Sequence, residues 1–223
     1  MITFVLAESA LELIPESLRK DPRVIKSCRK FGKRPEECLL DKSLHYWAMN
    51  GLKDSEKRGR PDIVYHVLLD VTSSQLYRKG LLDFYIHTYD DNIIKIGKGV
   101  RPPKAYFRFE GLMVDLFRKK VIEDGQGNVL LELRKGKVKD VLKEAGHESA
   151  VGFEVGGELV TFEAAARRVY DAGAFIIGGF PAGSFSDETT SLMSSKISVA
   201  REVLDADAVV CRVIYELERL LLA

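Results

Sequence analysis

The chain's 223 residues suffice for one large domain or two small ones, and a hydrophobic content of 46% supports a sizeable core. No apolar run reaches membrane-spanning length and residues 1–7 carry no basic leader before Glu8, which predicts a cytoplasmic protein without a signal peptide or a membrane partner. The net charge of +1 hides an asymmetry: residues 19–60 hold 13 Lys/Arg against 6 Asp/Glu, residues 95–120 hold 8 against 2, and residues 148–223 reverse this to 6 against 12, so a polyanion is the expected partner of one face.

Residues 2–6 read as a short β run. Ser9 followed by Glu12 has the spacing of a capping box, predicting a helix through Leu13 that Pro15 closes. Residues 19–42 are charged with few apolar anchors and read as partly irregular. Residues 44–53, with the only tryptophan, Trp47, read as a short helix. Over 62–71 the sequence is apolar and periodicity leaves strand and helix both open. A strand at 84–88, a turn at Asp90-Asp91-Asn92 and a strand at 93–96 form an expected hairpin. Helical spacing follows at 111–119, then a turn at 124–128 and a strand at 129–133. Next come a helix at 138–145, a strand at 150–155 turned by Gly156-Gly157, a helix at 162–171 and a strand at 174–177. A short apolar element starts at Ile197, and a helix over 208–222 has Val209, Val213, Ile214, Leu217, Leu220 and Leu221 on its apolar side. This alternation predicts parallel pairing and an α/β fold. No low-complexity linker cuts the chain, so residues 1–223 are expected to form a single domain with basic elaborations at 19–62 and 90–120.

Three segments carry chemistry. The apolar strand at 175–177 ends in Gly178-Gly179-Phe180-Pro181-Ala182-Gly183, a loop whose backbone has little bulk to keep a ligand away. It lacks GxGxxG and a Walker lysine, so neither a dinucleotide site nor a P-loop is supported; a cofactor loop and a plain strand-to-helix connection both fit the pattern. Lys57-Arg58-Gly59-Arg60-Pro61-Asp62 offers guanidinium forks for phosphate, with Asp62 placed to hold the fork of Arg60. A surface turn with a local ion pair fits the same residues. In Arg101-Pro102-Pro103-Lys104-Ala105-Tyr106-Phe107-Arg108-Phe109 cations alternate with rings, the mixture that grips phosphates and stacks on unpaired bases, although Phe107 and Phe109 would serve a core equally. Cys28, Cys38 and Cys211 lack CxxC spacing, and the four histidines are not spaced as metal ligands, so no metal site is expected.

These segments occur in a recognisable order. Arg58-Gly59-Arg60-Pro61-Asp62-Ile63, Tyr85-Ile86-His87-Thr88, Arg101-Pro102-Pro103-Lys104, Phe107-Arg108-Phe109-Glu110-Gly111-Leu112-Met113 and Ile176-Ile177-Gly178-Gly179-Phe180 together resemble the Nep/Emg (nucleolar essential protein) family over nearly the whole chain. Its members are SPOUT-class methyltransferases of pseudouridine N1 in small-subunit ribosomal RNA. The resemblance implies an α/β knot: a C-terminal trefoil knot around a mainly parallel sheet, with an elaborated N-terminal half. It also implies a homodimer, S-adenosylmethionine as cofactor, a single-stranded rRNA loop containing pseudouridine as substrate, and ribosome-assembly proteins as partners. Carried over, the cofactor-binding positions are Phe153, Glu154 and Val155, then Gly178 and Gly183, then Val199, Ala200, Arg201, Glu202, Val203 and Leu204. Relatives often carry Asn, Tyr, Pro or Gly in this last stretch, so backbone contacts are the ones expected to persist there. Arg60, Arg101, Lys104 and Arg108 fall on RNA-contacting cations. Lys104 stands for a common arginine and keeps the charge without the fork. Arg60 and Asp62 are the catalytic candidates in an electrostatic and orienting role, because a carboxylate held by arginine is a weak base. Two other readings remain: a knot-class methyltransferase of another RNA such as tRNA, and a non-catalytic rRNA-binding assembly factor.

Overall fold

The computed structural model describes residues 1–222. In chain order its elements are β1 (Ile2–Ser9), α1 (Pro22–Arg29), α2 (Lys42–His45), α3 (Pro61–Ser73), α4 (Gln75–Arg78), β2 (Leu82–Thr88), β3 (Asn92–Ile96), α5 (Tyr106–Lys119), β4 (Val121–Glu123), β5 (Val129–Lys135), α6 (Val138–Glu144), β6 (Ala150–Leu159), α7 (Phe162–Ala172), β7 (Ala174–Gly178), α8 (Asp187–Thr190), β8 (Met193–Ser198) and α9 (Ala206–Leu222). The eight strands form one sheet in the order β4-β5-β3-β2-β1-β7-β6-β8. Pairing is parallel from β2 through β1, β7 and β6 to β8, and antiparallel from β2 outward to β4.

The centre of the sheet explains its stability. All eight residues of β1 are buried, as a parallel strand covered on both faces requires. Phe4 stacks between Phe84 and Phe175 of the adjoining strands, with ring centroids 4.9 and 4.5 Å away. One face of the sheet is covered by apolar stripes of α3, α5, α7 and α9, including Leu68, Phe109, Val169 and Val213. The other is covered by Val138, Val141 and Leu142 of α6 together with Phe185. A satellite core of Ile14, Leu18, Val24, Cys28, Leu40, Ala48 and Met49 anchors the basic N-terminal elaboration. Among the described residues no helix is long and apolar enough to cross a membrane.

Several local expectations give way to tertiary pairing. Ser9 and Glu12 start no helix: Ser9 ends β1, Ala10 N–H donates to the Gly179 carbonyl at 2.8 Å, and the Glu12 carboxylate is held by Arg58. The irregular reading of 19–42 misses α1, which Pro22 opens and Asp21 caps by accepting from the Arg23 N–H. The helix expected over 44–53 is the single turn α2 followed by further turns. Residues 62–71 resolve as helix, with Pro61 in the first turn. Helix α5 starts at Tyr106, ahead of the expected 111, and β4 was not foreseen. Strand β6 continues past Gly156-Gly157: both Phe153 and Glu158 align with Ile197 of β8, so residues 154–157 bulge outward. A Cβ on Gly157 would lie 2.8 Å from the Ile197 backbone, so the expected turn is a close crossing that needs glycine. Ile197 itself lies near the end of β8, not at the start of an element.

Candidate functional site

Strands β6, β7 and β8 run parallel. The bulge 154–157, the loop after β7 and the loop after β8 enclose a cavity of about 530 Å³. Its walls include Phe153, Glu154, Val155, Gly178, Gly183, Val199, Ala200, Glu202, Val203 and Leu204, ten of the eleven positions singled out as cofactor-binding. Arg201 is exposed and lies off this wall. Phe180, Pro181 and Ala182 of the glycine loop line it too, and the sequence reading missed Ser184, Phe185, Ser198, Ala206 and Val209. Phe180 and Phe185 stood beside the glycines and pack edge to face, 5.3 Å between ring centroids.

The loop glycines are set by contacts. Gly179 lies against β1, where a Cβ would come 2.3 Å from Ser9 Oγ and 2.9 Å from Ser9 Cα. Its N–H donates to the Ala7 carbonyl at 2.8 Å. Gly183 has φ +96°, a left-handed backbone that side chains rarely adopt. This loop is pinned to the sheet as well as being free of bulk.

The cationic segment 57–62 divides in two. Arg58 is buried and makes a two-pronged bond to Glu12, Nε to Oε1 and Nη2 to Oε2 at 2.7 Å each, with its guanidinium 4.7 Å from the centre of the Tyr89 ring. Burial raises the Glu12 carboxyl, the bonds and charge of Arg58 offset part of that rise, and the Arg58 value is raised by the same bond. Lys57 donates to Glu8 at 2.7 Å, and both side chains are largely buried. Arg60 alone faces outward. It precedes the first turn of α3 and forks onto Asp62 two residues later, Nε to Oδ1 and Nη2 to Oδ2 at 2.8 Å. Burial works to raise the Asp62 carboxyl, but the Arg60 hydrogen bonds outweigh it and hold the group below the usual carboxylate range. Asp205, next to Leu204 of the cavity wall, lies close enough to raise the Arg60 value through its charge.

In the segment 101–109, Arg101, Lys104, Phe107 and Arg108 are exposed, whereas Phe109 is fully buried. Its approach is fixed by two tyrosines: Tyr65 donates to the Lys104 carbonyl and Tyr77 to the Gly97 carbonyl, while Val100 N–H donates back to Tyr77 at 3.1 Å. Tyr106 joins this segment to the previous one. Burial raises its hydroxyl, and the charges of Asp41, Glu110 and Asp62 add to the effect. Sequence reasoning left Trp47 and Tyr46 without a role. Trp47 is 73% exposed, Tyr46 stands 5.2 Å from it edge to face, and the preceding Lys42 N–H donates to the Gly59 carbonyl at 2.7 Å. This seats the aromatic turn beside Arg60. Its signal was a Tyr-Trp pair in a charged segment that supplied no other reason for a large ring.

A family model described as EMG1/NEP1 methyltransferase matches residues 4–218. The chain belongs to this family. Curated relatives named ribosomal RNA small subunit methyltransferase Nep1 are similar over nearly full length. One from Staphylothermus marinus is 39% identical over 220 residues, covering 98% of this chain and 96% of the relative. Another from Aeropyrum pernix is 38% identical, covering 97% and 96%. The crystal structure of Archaeoglobus fulgidus Nep1 bound to S-adenosylhomocysteine superposes with a TM-score of 0.88 at 35% identity and covers both chains completely. The mixed, mainly parallel sheet described above is therefore an EMG1/NEP1 architecture, and the chain is a member of a methyltransferase family.

Proposed function

We propose that this EMG1/NEP1 protein is an S-adenosylmethionine-dependent enzyme that methylates N1 of a pseudouridine in small-subunit ribosomal RNA and takes part in small-subunit assembly. The observation that carries this reading is the ligand-sized cavity made by three loops of a parallel sheet; the outward-facing Arg60–Asp62 pair lies outside its lining, within reach of the charge of Asp205 beside Leu204. The names of the relatives and the ligand of the solved one support it. The cavity suits the cofactor. Its volume lies within the usual range for ligand pockets, about 300–1,000 Å³. Apolar walls at Phe153, Ile177, Val199 and Val203 suit a purine, and the glycine loop brings backbone within reach. Residues 153–155, 178–185 and 199–204 would hold it, with Arg201 pointing elsewhere. When bound, it supplies an electrophilic methyl group.

The chain's own task is then alignment and charge. The target nitrogen carries a proton, so its ring gains negative charge as that proton leaves. Arg60 is placed to stabilise this charge, and Asp62 keeps the guanidinium in one orientation. Asp62 is a weak base in that state, and solvent takes the proton. Arg101, Lys104 and Arg108 grip backbone phosphates, while Trp47 and Phe107 offer faces for unpaired bases. Val155 and Val203 expose apolar surface at the cavity, at 61% and 74%, which suits a second copy in a homodimer. The enzyme would act in the cytoplasm as a single domain.

The test is mass spectrometry of a pseudouridine-containing rRNA loop after incubation with the protein and S-adenosylmethionine. Methyl on N1 is the expected product. Label appearing in tRNA instead would redirect the substrate, and calorimetric binding of the cofactor with no transfer to any RNA would leave a binding role in assembly.

A further inference from the structure

We infer that Glu8 and Lys57 form a clamp that positions the loop 178–186 and so sets the shape of one cavity wall; this rests on reading that cavity as the cofactor site. Glu8 lies at the end of β1 with φ 51°, an uncommon conformation for a residue other than glycine. Its backbone N–H donates to His87 Nδ1 at 3.2 Å, which fixes the unusual turn. The carboxylate then points at the loop. Oε1 accepts from Ser186 N–H at 2.9 Å and Ser186 Oγ at 2.8 Å, while Oε2 accepts from Lys57 Nζ at 2.7 Å.

Lys57 completes the hold from the other side. Its ammonium sits 4.5 Å from the centre of the Phe180 ring. Its methylene stem covers Gly183, where a Cβ would meet Lys57 Cε at 3.1 Å. Phe180 and Gly183 line the cavity, and Ser186 ends the loop that contains them. Two buried charges thus grip three points of one loop. Burial raises the Glu8 carboxyl, but bonds from Lys57 and Ser186 hold it below its ordinary value, so Glu8 meets the loop as a carboxylate. Arg58–Glu12, on the next residue, is a buried pair of the same kind whose side-chain hydrogen bonds among the described residues reach no residue of the cavity wall. The two pairs therefore separate positioning from general stability.

The test uses the full chain, S-adenosylhomocysteine and calorimetry below the melting range. Glu8→Gln and Lys57→Met are expected to weaken S-adenosylhomocysteine about tenfold, the equivalent of one lost charge-assisted contact. KM for S-adenosylmethionine should rise by a similar factor with a smaller change in kcat, and Lys57→Arg should regain most of the affinity. Ser186 is exposed and its Oγ also caps α8 by accepting from Thr189 N–H at 3.2 Å, so Ser186→Ala cuts the Glu8 link at the cost of one short helix cap; a loss of about threefold is expected. Glu12→Gln should lower the melting temperature without this loss of affinity. Wild-type affinity in folded Ser186→Ala and Lys57→Met, or an equal loss in Glu12→Gln, overturns the clamp. Ala200→Trp, which fills the cavity, tests the site reading separately. If it abolishes binding while the clamp variants bind normally, the clamp alone is wrong; if it binds normally, the cavity assignment is wrong.

Discussion

The segments 57–62 and 101–108 look alike in sequence, each with three Lys/Arg in a short span containing proline, and the fold treats their cations differently. In the first, carboxylates from β1 and the residues just after it capture Lys57 and Arg58, and only Arg60 reaches solvent. In the second, Arg101, Lys104 and Arg108 all remain exposed. The difference lies in what the rest of the chain brings. Glu8 and Glu12, far away in sequence, arrive beside 57–58, and no acidic partner pairs with 101, 104 or 108 among the described residues. A count of charges therefore predicts a polyanion-binding surface only where the fold delivers no carboxylate.

The largest break in this comparison is Arg58→Ala. It strands the Glu12 carboxylate in a buried site, and the expected loss is about 3–5 kcal/mol of stability. Arg101→Ala, at an exposed position, should change stability by less than about 0.5 kcal/mol. Chemical denaturation of the two variants side by side measures the contrast, and equal losses would refute it. Arg60→Ala comes next, now in rate. With saturating cofactor, methyl transfer should fall by about 10²–10³, as for removal of one donor to a developing anion. Asp62→Asn should fall less, because its role is to orient. If both variants bind RNA and transfer methyl as wild type does, this motif lies outside the site.

On the RNA side the expected effects are smaller. Trp47→Ala should cost about 1–3 kcal/mol of affinity for a single-stranded loop and leave the melting temperature unchanged. Each of Arg101→Ala, Lys104→Ala and Arg108→Ala should lower the salt slope of binding by about one. Lys57→Ala should leave that slope unchanged, since its ammonium faces Glu8. A lower slope for Lys57→Ala would show that the sheltered cation reaches RNA after all.

Legibility followed the range of the interactions. The hairpin at 84–96, the helix at 162–172 and the strand at 174–178 were readable because turn residues, caps and apolar periodicity are local. The stretches around the cavity were readable through family resemblance, and ten of the eleven positions named do face it. What failed was long-range. The Ser9–Glu12 spacing is a fair local cap signal, but a backbone bond to Gly179 and a salt bridge to Arg58 hold those residues extended. Gly156-Gly157 looked like a turn because the crossing strand that demands glycine there comes some 40 residues later at Ile197. The roles of Glu8 and Lys57 were invisible for the same reason: each draws its meaning from a loop more than a hundred residues away.

The smallest expected effect concerns pH, and it acts on the sheltered side of the comparison. His87 is buried, accepts the Glu8 N–H at Nδ1 and sets Nε2 3.1 Å from Asp91 Oδ1. An Nδ1 that accepts leaves the proton on Nε2, so the ring in this geometry is neutral. Burial lowers its pKa, and the opposing pull of Asp91, Glu8 and Asp90 does not overcome that. The unfolded chain therefore binds a proton at about pH 6.5 while the folded chain does not. Stability should be fully present above about pH 6.5, fall as the pH drops below it, and level off once the folded ring also protonates. Denaturant midpoints measured between about pH 7.5 and 5.5 read this slope, and His87→Gln should reduce it, leaving the part that belongs to His45, which burial lowers in the same way. A wild-type curve that is flat across that window would mean that the ring takes up its proton in the fold as it does in the unfolded chain, and that Nδ1 is not committed to the Glu8 N–H as described. Cofactor affinity measured over the same window distinguishes the two levels of the argument: a parallel decline would carry the His87 titration through Glu8 to the loop, whereas a constant affinity would confine it to the sheet.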